Sequence, residues 1–520
     1  MKLPESSLSW LLPFCVYISG AVADIGPYFG SAKYDAGEFG RWPHQSFRSS
    51  PIIGPVLNIQ QHDAECENDG LLLLGPGGDE VFHSGPTIID QRYQLVWNEP
   101  LYGKSWAVDV KYFRGVPYLT FWADKHGGQS NAAWYMLNSS YDEVYTIHPA
   151  GGWKSDDHEF DITRDQTGIV AIEMEVPFDL SAVGGPRDGW ILDNGFQELD
   201  IETGKVLFQW RASAHWDLAE SYQNFTEHNG TSQEEAWDFF HQNSVQKDSR
   251  GNYLISSRHM STIAYIDGQT GSVLWKLGGK QNTFSDLSGH ATDFNGQHHA
   301  RFLEDWEDRK TATISLFDNG SGGRAQTHPT SGKIVKIDVE KWTAQLKQQY
   351  SNPHHRVNSV NRGSTQVLPS GNVLLGYGSA AAWSEFSADG DLLCDVHFGP
   401  QSRFSQGDVV SYRVFKRQWL GSPREGPSLS IANDIVYVSW NGATEVTAWE
   451  LQGSNYAGTY DDADFFALKK TQKAGFETDI LLPKENKYQY LRVVGLNQLG
   501  KKIGYSSIID RYPPTLVAQS

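Results

Sequence analysis

Three histidines and a glutamine stand at matching places in this chain. His158 leads Glu159-Phe160-Asp161-Ile162, His241 leads Gln242-Asn243-Ser244-Val245, His298 leads His299-Ala300-Arg301-Phe302, and Gln366 leads Val367-Leu368. Each opens a short strand-like run, followed by a turn and an apolar strand: GIVAIEME, GNYLISSR, ATISLFDNG and GNVLLGYG. A second tier follows one hairpin later: Arg258 with His259, Asp318 and Asn319 with Arg324, and Tyr377. Imidazole, guanidinium and carboxamide groups brought together all donate hydrogen bonds, so they would bind an anion or polarise a carbonyl. Ser411-Tyr412-Arg413, which precedes Trp419, is placed to close such a pocket through Arg413, with blade packing as the alternative. Trp383 and Tyr377 could stack on an aromatic ligand, and core packing is the alternative for both. Carboxylates are abundant, but no pair is read at an interpretable spacing. No cysteine cluster, His-Glu-x-x-His, phosphate-binding glycine loop or nucleophile elbow is present. His298-His299 and His354-His355 are neighbours, and neighbours on a strand face opposite ways. No metal and no cofactor are expected.

Such residues converge only if the fold repeats. DIETGKVLFQW (Asp200 to Trp210) and DGQTGSVLW (Asp267 to Trp275) share Asp-x-x-Thr-Gly-x-Val-Leu, a strand, tight turn and strand. Gly85 to Trp97 (GPTIIDQRYQLVW) reads as another such hairpin. A period of roughly 60–70 residues with four short strands per unit marks a β-propeller with large blades. The predicted fold is all-β, a six-bladed propeller over residues 24–425 whose innermost strands line an axial channel. A β-helix or sandwich array is the rival. Residues 426–520 carry strand-period alternation without the blade motif, and predict a fibronectin-III-like β-sandwich or a β segment packed on the propeller. Ser422-Pro423-Arg424-Glu425-Gly426-Pro427 is the linker.

Aromatic residues make up 13 % of the chain, with 18 Trp, which suits strands. The net charge of −19 argues against nucleic acid or an anionic membrane as partner. Leu8 to Val22 is an apolar run too short to span a bilayer comfortably, and Ala21-Val22-Ala23 ends it with a small-x-small pattern. Residues 1–23 are therefore read as a cleaved signal peptide, and the protein as secreted or lumenal, with no membrane attachment after cleavage. Cys15 lies in that segment. Cys66 and Cys394 remain for one disulfide in an oxidising compartment, with two free buried thiols as the alternative. Asn138, Asn224 and Asn229 are plausible glycan sites. Asn319 also lies in a sequon, but its place in the second tier turns it inward.

Several segments together resemble one family. Phe239-Phe240-His241-Gln242-Asn243-Ser244-Val245, Asn252-Tyr253-Leu254-Ile255-Ser256-Ser257-Arg258 and Leu274-Trp275-Lys276-Leu277-Gly278-Gly279 are similar to the fungal branch of the arylsulfotransferase-like (ASST) propellers. So are Gln297-His298, Phe317-Asp318-Asn319-Gly320, Gly371-Asn372-Val373-Leu374 and Ser439-Trp440-Asn441-Gly442-Ala443-Thr444. The resemblance implies a six-bladed propeller with an axial pocket for an aromatic or phenolic small molecule. Bacterial members move sulfate between phenols without a nucleotide, through a His nucleophile flanked by His and Arg. By position, His241, His298 and Arg324 would stabilise the sulfate, but Gln366 stands where a histidine nucleophile is sought. Secreted fungal proteins resembling this family include catalysts that join a quinone methide to a terpene alkene by hetero-Diels–Alder reaction. Without a nucleophile, the leading expectation is cofactor-free cyclisation or cycloaddition on a phenolic or quinone-methide-like substrate. His241, His298 or Arg324 would polarise its oxygen, and His158, Arg258, Asn319, Gln366, Tyr377, Trp383 and Arg413 would hold it. Nucleotide-independent aryl sulfotransfer is the alternative, and a non-catalytic small-molecule-binding propeller the second.

Overall fold

The computed structural model describes residues 24–512 except 69, 126–131, 225–228, 305, 307–309, 323–327 and 457–460. The segment read as a signal peptide lies outside these residues, as does Arg324. Six sheets form a closed ring of blades. The innermost strands, in ring order, are Val414–Arg417, Ser105–Phe113, Lys154–Ile162, Gln242–Lys247, His298–Phe302 and Ser364–Val367 (blades 1 to 6), and they pack against one another around the axis.

The repeated Asp-x-x-Thr-Gly motif is the turn between the third and fourth strands of blades 3 and 4. In each, the aspartate accepts from the threonine N–H and hydroxyl: Asp200 from Thr203 at 2.8 and 2.8 Å, Asp267 from Thr270 at 2.7 and 2.8 Å. The glycine that follows takes positive φ, +68° at Gly204 and +75° at Gly271, which is why glycine stands there. Six apolar clusters fill the six gaps between neighbouring blades. Trp134 of blade 2 stacks on Phe160 of blade 3, and Phe196 of blade 3 packs on Tyr253 of blade 4.

The ring closes at one seam. Blade 1 takes its innermost strand, Val414–Arg417, from far along the chain, antiparallel to Leu71–Leu74. Blade 6 takes an outer strand, Asn58–Gln61, from near the start. Cys66 and Cys394 are joined in a disulfide across that seam, closing a loop of 328 residues. A serine at either cysteine is expected to cost about 2–5 kcal/mol in denaturant unfolding; a value within error of zero would show that the paired strands alone secure the seam.

Strands from Ser428 onward form two further sheets around Trp449, Val436, Ile480 and Val493. They dock on blades 1 and 2: the Asn441 side chain bonds the Asn98 backbone of blade 1 in both directions (3.2 and 2.9 Å), and Tyr141 of blade 2 donates to the Gly442 carbonyl (2.8 Å).

Candidate active site

At one end of the axis each blade contributes a side chain from the start of its innermost strand or, for His158, from the irregular stretch within it. These are Tyr412, Trp106, His158, His241, His298 and Arg362, from blades 1 to 6. The His158 ring meets those of His241 and Tyr412 at centroid distances of 4.8 and 5.4 Å. Tyr412 meets Trp106 edge-on at 5.4 Å, the Arg362 guanidinium lies 4.7 Å from the Trp106 ring, and the Arg362 N–H donates to His298 Nε2 at 3.3 Å. The innermost strands of blades 2 to 5 lose register at this end, between Trp106 and Asp109, Ser155 and Phe160, Gln242 and Ser244, and His298 and Arg301. A bulge adds a residue and re-aims a side chain. His241 itself takes φ +55° and Arg362 +64°, left-handed backbone that costs energy in non-glycine residues and gathers at functional sites.

Four histidines sit here in different states. His241 places Nδ1 2.5 Å from the Asp238 carboxylate. A carboxylate accepts, so Nδ1 carries the proton and Nε2 the lone pair. Nε2 has no hydrogen-bond partner among the described residues, and a quarter of the side chain is exposed. Burial, then the positive neighbours His158 and Arg258, hold His241 well below the ordinary histidine pKa, hence neutral. His298 gives its Nδ1 proton to Asn319 Oδ1 (2.7 Å), while its Nε2 is covered by the Arg362 N–H. It too is neutral, chiefly through burial. His259 lies beside His241, donates Nδ1–H to the Asp238 carbonyl (2.7 Å), and is pushed down to about 3, first by burial. His158 is the opposite case. Burial opposes its charge, but Asp156, Asp157 and Glu173 outweigh it and raise the pKa to about 9. Glu173 is raised to about 8, first by burial and then by Asp156 and Asp157. The result is a neutral, open imidazole beside a protonated one, with the Arg258 and Arg362 guanidiniums adjoining.

Two donor sets here could hold a divalent cation: Asp238 with His241 and His259, and Asp156 with Asp157 and His158. The proton that His158 retains competes with metal at the second.

A cavity of about 430 Å³ opens beside the ring, lined by Lys104, Trp106 and Arg362 and floored by Gly75, Gly77 and Gly78. Beyond the ring the channel is plugged. Glu159, 1 % exposed, takes both Arg413 nitrogens at 3.1 and 3.2 Å and also binds Arg301. Arg413 is thus a structural cation inside the channel rather than a pocket closure.

Other expectations are corrected by position. Gln366 lies four residues past the ring position, where Arg362 stands, and clasps the Lys416 backbone at the far side of the plug. Tyr377 and Trp383 are buried in the clusters on either side of blade 6, and neither lines the cavity beside the ring. Asn319 is buried, and its Nδ2 donates to the Ser359 and Arg362 carbonyls at 2.9 and 2.8 Å. Both amide hydrogens are engaged, so peptide mapping is expected to find Asn319 unmodified; a glycan there would require the loop to be rebuilt. Asn224 and Asn229 are exposed, and Asn138 is half-buried in a turn. Sequence reasoning missed Asp156, Asp157, Glu173, Asp238, Trp106 and Arg362, while Tyr412 lies in the segment read as closing the pocket. Asp156 and Asp157 adjoin His158, and Asp238 stands three before His241, so both pairings were visible.

Residues 110–399 match the family model described as arylsulfotransferase (ASST). The chain belongs to the arylsulfotransferase (ASST) family. The matched span holds the ring residues His158, His241, His298 and Arg362. No curated protein matches the chain by sequence. Among solved structures, a protein of unknown function from Bacteroides caccae is 14 % identical, covering 67 % of this chain and 98 % of its own, with a TM-score of 0.39. A catalytically inactive virginiamycin B lyase from Staphylococcus aureus is 7 % identical (74 % of this chain, 97 % of its own, TM-score 0.32). The β-propeller domain of Cps50 (Swd1) from Myceliophteria thermophila is 9 % identical (65 % and 94 %, TM-score 0.30). Within this ASST-family propeller, the axial ring is the candidate active site.

Proposed function

We propose that this ASST-family chain transfers a sulfuryl group from an aryl sulfate to a phenol, without a nucleotide donor, through His241. The observation that carries this reading is the Nε2 of His241: unpartnered, kept neutral, oriented by Asp238 and set among Arg258, Arg362 and protonated His158. The premise that led away from sulfuryl transfer was a missing nucleophile at Gln366; the ring position in that blade belongs to Arg362, and blade 4 offers a nucleophile instead. In the first half-reaction Nε2 attacks sulfur and forms an N–S bond. The sulfur–aryl oxygen bond breaks, its electrons go to the phenolate, and His158 protonates that oxygen. Its pKa of about 9 is close to that of a phenol, which suits this transfer. In the second half-reaction an acceptor phenol gives its proton to His158 and its oxygen takes the sulfuryl group from Nε2. The guanidiniums stabilise the sulfate oxygens throughout.

The pH dependence follows from His158. Its proton is present below about 9 and lost above it, so turnover is expected to fall as pH rises through that value. A rate flat to pH 10.5 would remove His158 from the acid role. The same group stabilises the fold fully below its unfolded pKa near 6.5, and that contribution is lost as pH rises towards 9.

The test is incubation with p-nitrophenyl sulfate and a phenol, reading p-nitrophenol release and a sulfuryl adduct on His241 by mass spectrometry. Release with the adduct supports the reading. Folded protein giving neither would overturn it. The mouth cavity also favours a second reading. The Lys104 ammonium and the Arg362 guanidinium lie 4.4 and 4.7 Å from the Trp106 ring, an aromatic wall with two cations that would polarise a quinone-methide oxygen for cofactor-free cycloaddition. His241→Ala separates the two, since it removes the sulfuryl carrier and leaves those donors. The secretory localisation remains part of this proposal, in keeping with the disulfide.

A further inference from the structure

Away from the axis, on the outer part of blade 6, three side chains converge that the proposed reaction does not use. His397 and Asp395 lie two apart on the strand Leu392–His397, so they share one face of it. His355 comes from the segment leading to Arg362. One donor atom from each of His355, Asp395 and His397 lies within 4.8 Å of the other two.

Each histidine keeps one ring nitrogen buried and without a hydrogen-bond partner, Nδ1 in His355 and Nε2 in His397. His397 is fully buried, and its Nδ1 lies 2.7 Å from Asp35 Oδ1, which makes Nδ1 the protonated nitrogen. Its Nε2 is therefore a lone pair, buried and without a partner. A buried acceptor left unpaired is costly and calls for an explanation. His355 donates Nε2–H to Asp395 Oδ2 at 2.8 Å, so an ion taking that place displaces this proton, for which the buried, unpartnered Nδ1 is the acceptor; Asp395 Oδ1 is fixed by the Ser384 hydroxyl at 2.9 Å. A carboxylate behind the far nitrogen of a histidine, as Asp35 is behind His397, is the usual support of a metal-bound imidazole.

We propose that His355, Asp395 and His397 bind a first-row divalent cation of the zinc class. Two imidazoles and one carboxylate suit such an ion, with water completing a tetrahedral shell. Adjacent His354 and His355 fail as a chelating pair, but only His355 is needed, and its partners come from the neighbouring strand. The ion would be structural. It would pin the segment through His355 to the outer strand, and that segment supplies the Ser359 and Arg362 carbonyls that hold Asn319, which orients His298. This inference stands apart from sulfuryl transfer.

The experiment uses untagged full-length protein, incubated with zinc and passed through a desalting column, with metal read by mass spectrometry. About one equivalent of zinc is expected, with a lower melting temperature after chelation. His397→Ala and Asp395→Ala are expected to lose the metal, and Asp35→Asn to weaken binding roughly 10–100-fold. His241→Ala is expected to retain it, which excludes the axial donor set. Cobalt added to the wild type should give the visible bands of a tetrahedral centre, and this arm decides if the buried variants do not fold. Less than about a tenth of an equivalent in folded wild type, metal retained in folded His397→Ala, or metal lost in His241→Ala would each overturn the site.

Discussion

Replacing His241 by alanine is expected to abolish aryl sulfate turnover, with kcat falling by at least about 10⁴-fold, since loss of a covalent nucleophile is of this order. No lesser group can take over. His298 Nε2 is covered by a backbone N–H, His158 carries a proton where a lone pair is needed, and His259 Nε2 lies against Arg258 at 2.9 Å. The p-nitrophenol assay reads the loss, and mass spectrometry should show no sulfuryl adduct. Asp238→Asn tests the same centre more gently. An amide can hold the ring in the wrong tautomer, which places the proton on Nε2, and a loss of about 10²–10⁴-fold is expected with little change in KM. Wild-type turnover in His241→Ala would remove the nucleophile from the mechanism, whatever Asp238→Asn did.

The second large effect concerns stability. Glu159→Gln is expected to destabilise the propeller by about 3–5 kcal/mol, read as a lower denaturant midpoint, because it strands two guanidiniums in the channel. Arg413 is 2 % exposed and Arg301 14 %, so neither has ready access to water in compensation. Burial works against the charge of Glu159, but Arg301 and Arg413 overcome it and depress its pKa. A depressed carboxyl contributes stability above its unfolded value, near 4.3, and loses that contribution as pH falls through the folded value. The wild type should therefore lose stability in acid more steeply than Glu159→Gln. Equal midpoints would mean that the plug is held by packing alone.

The blade count, the ring histidines and the disulfide partners were all legible, because each rests on residue type or on a repeat longer than a turn. The error at blade 6 has a local cause. Gly251-Asn252 and Gly371-Asn372 close the same hairpin turn, where the N–H of Asp248 bonds the Asn252 carbonyl and that of Leu368 the Asn372 carbonyl. Counting back from that turn sets Gln366 against Gln246, and once the residue added by the bulge between Gln242 and Ser244 is allowed for, Arg362 stands against His241. Aligning polar residue with polar residue, instead of turn with turn, shifted the blade. The bulges at the ring end compound this, since an extra residue breaks the alternation by which inward positions are counted. Trp106 escaped because a search for histidines passes over an aromatic at the same station.

The seam has a consequence for how the chain is made. Blade 1 lacks its axial strand until Arg417 has emerged, although its other three strands end at Asn98. During synthesis the ring is thus an open arc, with a bare strand edge on blade 1 waiting for partners some three hundred residues away. Closure is a late, long-range event, and until then the nascent chain is most prone to pairing with its neighbours. A folding compartment that forms the Cys66–Cys394 bond only after this meeting would retain unfinished rings and release closed ones.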